Sequence, residues 1–186
     1  MKLVRHAHFV LIYCTLFPFA AHAGDPTKPV LDRAHSLFNS FEVMCNLSTP
    51  NFEHLSAQAA AMRMKVLEDV SETTQIGETV QRKGWVDTLT SGPFALRTEK
   101  MSGSKGIATS CSIEGPIPDI DEFRKVVIKK LHLNTAPESQ VVEGGHTYYW
   151  DNYAGHGTTV MVRDMDRRTG HFVQVKLLNM VENNTR

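Results

Sequence analysis

Two stretches of this chain follow one plan. Pro50-Asn51-Phe52-Glu53-His54-Leu55 lines up with Pro118-Asp119-Ile120-Asp121-Glu122-Phe123. Each opens a helical pattern with a proline, a capping-type residue and two apolar anchors. Further on, Trp85 matches Trp150, and each is followed by a small-residue turn and a pair of alternating segments. The pattern predicts two α-β-β-β units, spanning about 48–115 and 116–186, with one extra helix in front. The expected fold class is α+β: a two-layer sandwich in which helices cover an antiparallel sheet of about six strands.

The element reading behind that plan rests on periodicity. Over 30–47, Val30, Ala34, Leu37, Phe38, Phe41, Met44 and Cys45 fall on one helical stripe. A second helix is expected over 51–69, capped by Thr49 and started by Pro50, with a loop over 71–78. Strands are expected over 80–88, 94–101 and 106–113, separated by Gly/Ser/Pro turns. A third helix over 120–133 starts at Asp119, with Glu122 at capping-box spacing. The segment 137–145 reads as a loop or short edge piece. Strands over 146–153, 158–164 and 171–180 complete the chain, with turns at Gly155-His156-Gly157 and Arg167-Arg168-Thr169-Gly170.

The first 23 residues read as a secretory signal peptide. Lys2 and Arg5 make a positive start, an apolar run extends from Phe9 to Phe19, and Ala21-His22-Ala23 offers a small-x-small cleavage site. The run is shorter than the ~20 residues a spanning helix needs. Bulky Tyr13 before Cys14 disfavours a lipoprotein site. The remainder, 24–186, reads as a single domain that is periplasmic or secreted, with no membrane span after cleavage. The full chain carries 20 basic and 20 acidic side chains. Losing Lys2 and Arg5 leaves a balance of about −2, so no nucleic-acid partner is expected. Cys45 and Cys111 remain as an even pair in an oxidising compartment and predict one disulfide. It would close a loop of about 65 residues, for which chain entropy gives roughly 4 kcal/mol.

The residues Phe41-x-x-x-Cys45, Pro50-Asn51-Phe52, Gly84-Trp85 and Cys111 resemble a pattern in uncharacterised secreted proteins of proteobacteria. The layout also resembles, at the level of architecture, small periplasmic folds of the β-lactamase-inhibitor-protein type. The resemblance covers most of the chain after residue 23. It implies an exported α+β domain with a disulfide, and it supplies no catalytic residues.

Catalytic signatures are missing from the sequence. There is no Gly-x-Ser-x-Gly elbow. Gly103-Ser104-Lys105-Gly106 lacks the spacing of a phosphate loop, and Asp164-x-Asp166 is followed by Arg168 where a calcium loop needs an oxygen. The densest aromatic stretch is Tyr148-Tyr149-Trp150-Asp151-Asn152-Tyr153. In a strand, His146, Tyr148 and Trp150 share one face, and Tyr149, Asp151 and Tyr153 the other. Exposed Tyr and Trp give contact area at low entropic cost, so Tyr148, Tyr149, Trp150 and Tyr153 form the candidate binding surface. The expected function is a non-enzymatic binding or inhibitor-type protein of the cell envelope, without a cofactor, acting on a protein or small ligand. The alternative is a hydrolytic or metal-dependent enzyme using His146, Asp151 and His156.

Overall fold

The computed structural model describes residues 28–46, 52–89, 91–142, 145–167 and 170–182. The expected signal segment, the expected cap at Thr49 and Pro50, and parts of several turns lie outside the described residues. Helix α1 (Lys28–Phe41) runs into a π-helical turn, Glu42–Asn46, and α2 (Phe52–Ala61) follows. Four strands come next: β1 (Lys65–Thr73), β2 (Thr79–Leu89), β3 (Gly92–Gly103) and β4 (Gly106–Pro116). Helix α3 (Ile120–Leu131) then precedes β5 (Glu138–Val142), β6 (Gly145–Asp151), β7 (Thr158–Arg167) and β8 (Gly170–Glu182).

All neighbouring strands pair antiparallel in one sheet, in the order β1-β2-β3-β4-β8-β7-β6-β5. Each half of the chain forms a four-stranded meander, and the halves join where the last strands, β4 and β8, pair. This corrects the expected six-stranded two-layer sandwich of α-β-β-β units: the sheet has eight strands, four from each half. The two additional strands are its edges. At β1, Val66 and Val70 continue the four-residue spacing from Met62, so the segment imitates a helical stripe. The helix ends instead at Ala61, and Arg63 just beyond it adopts a left-handed conformation (φ 57°). Met64 N–H then bonds back to the Ala59 carbonyl at 3.0 Å, closing a Schellman-type cap without glycine. At β5, Glu138-Ser139-Gln140-Val141-Val142 is short and mostly polar, as suits a sheet edge.

The register lines residues into rungs across the sheet. One core rung runs Val66, Trp85, Leu96, Ile113, Val175, Val162, Tyr148. The next runs Thr98, Cys111, Leu177, Val160, Trp150. Except at its ends, this face is buried against Leu37, Phe38 and Phe41 of α1, Leu55 and Ala59 of α2, and Phe123, Val127 and Leu131 of α3. Trp85 and Trp150 sit on the second strand of their respective halves, and both are buried in this core. The Cys45 and Cys111 sulfurs lie at disulfide distance, 1.98 Å, between the π turn and the centre of β4.

Helix α3 forms much as its sequence dictates. Asp119 Oδ1 accepts from the N–H groups of Asp121 at 2.9 Å and Glu122 at 3.2 Å. Acids occupy the first turn and Lys129 and Lys130 the last, matching the helix dipole. The carboxylate of Glu122 binds Lys125 at 2.6 Å, and that hydrogen bond raises the lysine pKa. No described helix is long and apolar enough to cross a membrane.

Candidate binding surface

The aromatic strand β6 sends alternate side chains to opposite faces. Trp150 enters the core, and its indole N–H donates to the Asn134 carbonyl at 3.0 Å. Tyr148 lies on the same face at the core margin. The Arg124 guanidinium stands 4.3 Å from its ring centroid, and the His146 ring stacks 6.5 Å away at 21°. Tyr149 faces the other way and donates its hydroxyl to Gln140 Oε1 at 3.2 Å. Asp151 follows on that face and accepts from the Thr159 hydroxyl at 2.6 Å. Tyr153 belongs to the turn after β6, where its N–H bonds to the Thr158 carbonyl at 3.0 Å. The four aromatic candidates therefore do not form one surface: Trp150 and Tyr148 serve the core face, while Tyr149 and Tyr153 border a cleft.

That cleft lies where the connection between α3 and β5 meets the end of β6. His132, Asn134, Glu138, Tyr149, Asp151 and Tyr153 line it, with Trp150 behind. His132 is itself set by the end of α3, where it takes a left-handed conformation (φ 54°).

His146, Asp151 and His156 do not converge. His146 stands near the start of β6 and Asp151 at its end, five residues along a strand, or roughly 16 Å at the usual rise. His156 sits in the turn beyond Asp151, because Asp151 pairs with Thr159. Among the described residues, no three His, Cys, Asp or Glu side chains gather where they could hold a metal ion.

The sheet face opposite the core carries no helix among the described residues, and it bears most of the sheet's charge. Its middle rung runs Glu68, Gly84, Arg97, Ser112, Lys176, Met161, Tyr149, Glu138 across all eight strands. On one side lies the rung Val70, Arg82, Glu99, Ser110, Leu178, Thr159, Asp151. On the other lie Glu114, Gln174, Arg163 and Thr147. Arg97 binds Glu68 through Nη1, and its Nη2 stands 3.6 Å from the buried Glu114 carboxylate. Arg82 bridges Glu72 at 2.6 Å and Glu99 at 3.1 Å. Gln174 Nε2 reaches Ser112 Oγ at 3.4 Å.

Gly84 makes the middle rung possible. A Cβ there would lie 2.9 Å from Glu68 Oε1, so only a residue without one lets Glu68 lie across β2 to meet Arg97. Local sequence does not mark this charged lattice as a site, because its members come from different strands and only the register gathers them. The one local signal is the alternation of Arg97 and Glu99 with Leu96 and Thr98, which predicts a wet face on that strand. No family model, curated protein or solved structure matches the chain.

Proposed function

We propose that the protein is an exported, non-enzymatic binding protein of the cell envelope that grips a partner protein across the uncovered face of its sheet. The observation that carries this reading is the set of polar rungs on that face, whose Arg82 and Arg97 side chains are already held in place by carboxylates. Charges fixed before contact lose little rotamer freedom on binding, so more of the contact energy appears as affinity. Tyrosine and arginine are also residues that often carry interface energy, and this face presents Tyr149 on the same rung as Arg97, four strands away. The leader pattern and the disulfide-distance pair Cys45 and Cys111 agree with maturation in an oxidising compartment.

The test is site-specific photocrosslinking in intact cells. A benzoylphenylalanine placed at Met161, in the middle rung, should give a discrete protein adduct in the envelope fraction. The same probe at Lys129, on the exposed side of α3, should not. Equal labelling from both positions, or no adduct from Met161, overturns the reading.

A further inference from the structure

We propose that the cleft between the α3–β5 connection and the end of β6, which shares Glu138, Tyr149 and Asp151 with the edge of the uncovered face, is itself a site for a neutral, polyhydroxylated ligand, a saccharide unit. The cleft has a volume of about 410 Å³, within the range of small-molecule sites, roughly 300–1,000 Å³. Its lining holds both kinds of hydrogen-bonding group. Asn134 carries an amide and His132 an imidazole, while Glu138 and Asp151 supply carboxylate oxygens. A sugar hydroxyl donates and accepts at once, so it needs this mixture. A simple cation needs acceptors alone.

Lys and Arg are missing from the lining while two carboxylates are present, so an anionic ligand is disfavoured. Asp151 already takes one hydroxyl, from Thr159, through Oδ1. That contact shows the chemistry a ligand hydroxyl would repeat at Oδ2. Tyr149 and Tyr153 add aromatic surface against which the C–H side of a sugar ring can pack. The walls are also fixed. The Trp150 indole ties the connecting loop through Asn134, and Tyr149 is tied to Gln140 on β5. A site tied in this way loses less freedom when it closes on a weakly held ligand.

The chain has two tryptophans, one at the cleft and one in the other half, which gives an internal reporter. In a 15N-labelled sample, triacetylchitotriose, maltotriose and putrescine are titrated separately while both indole N–H signals are followed. The expected result is a saturable shift of the Trp150 signal with at least one of the two saccharides, while the Trp85 signal stays in place. Asp151→Asn and Asn134→Ala should each weaken that saccharide by about tenfold, with the Trp85 signal confirming an intact fold. No saturable shift from either saccharide at about 10 mM overturns the proposal, since that excludes even millimolar affinity. So does a shift produced by putrescine alone, which would make this a cation site. Equal movement of both indole signals would mean non-specific association and also overturns it. Met161 crosslinking reads a different property, so either result can fail without the other.

Discussion

The Nε–H of Arg33 donates to the carbonyl of Pro116 at 3.0 Å, fastening α1 to the last residue of β4 across 83 positions of sequence. The same guanidinium donates to Ser91 Oγ at 3.1 Å, to the Gly92 carbonyl at 3.0 Å and to the Pro93 carbonyl. Arg33 is buried and forms no ion pair among the described residues. Burial lowers its pKa, and the ring of carbonyl dipoles holds the charge in place. The acceptors cluster where Pro93, Pro116 and Pro118 remove backbone donors from the end of the sheet.

Replacing that clasp should be costly. Arg33→Met removes a charged donor from three part-buried carbonyls, and a hydrogen bond to a charged group is worth about 1.5–3 kcal/mol. A loss of about 3 kcal/mol or more is expected in urea denaturation. Arg33→Lys should recover only a minor part, because one ammonium cannot replace a planar fork of donors. A methionine variant as stable as the parent would show that the clasp contributes nothing.

The second fastening is covalent in its expected state. Cys45 and Cys111 are fully buried, 66 positions apart, and join the end of the α1 segment to the sheet centre. Thiol reagents should therefore label neither cysteine in the native protein and both after unfolding with reductant. The Cys45→Ser/Cys111→Ser variant should lose up to about 4 kcal/mol, the chain-entropy value for a loop of this length. Quantitative labelling of the native protein without reductant would exclude the bond.

Legibility of the fold followed burial. Phe38, Phe123, Trp85 and Trp150 announce their elements because each sits on a face with consistent periodicity, and all four are buried. The two strands missed are those where burial imposes no pattern. Along β1 nearly every residue is exposed, Val66 at 60% and Leu67 at 47%, so sheet pairing rather than a buried stripe defines it. Helix α2 stops at Ala61, with Arg63 in the left-handed position beyond it and without the glycine or proline that would have marked the boundary. At the site, the aromatic strand stands out by composition alone. The partnership of Glu68, Arg97 and Glu114 depends on a register joining β1, β3 and β4, which local sequence does not encode.

Gly157 is a position where the sequence and the structure agree for a specific reason. It closes the turn before β7 at φ +82°, and its carbonyl accepts from Met180 N–H at 2.8 Å. A Cβ there would meet the Met180 carbonyl oxygen at 2.4 Å. Gly157→Ala should cost about 1–3 kcal/mol from backbone strain alone, and the clash with β8 adds to it. Gly155→Ala serves as the comparison. It also has positive φ, but its Cβ would meet nothing within 4 Å. The Gly157 variant should melt well below the Gly155 variant. Equal melting temperatures would mean that β8 moves aside freely.

The uncovered face makes a prediction that separates binding from stability. Lys176 lies in the middle rung between Ser112 and Met161, and none of the described ion pairs includes it. Lys176→Glu should therefore change stability by no more than about 0.5 kcal/mol, the usual range for a surface change away from packing features. In a contact surface the same reversal places a carboxylate where the partner met an ammonium. Like-charge juxtaposition across an interface costs several kcal/mol, so the adduct from a probe at Met161 should fall by at least about tenfold. Reversal at Lys130, at the far end of α3, should leave the adduct unchanged. If Lys176→Glu keeps full crosslinking at an unaltered melting temperature, the middle rung is not where the partner sits.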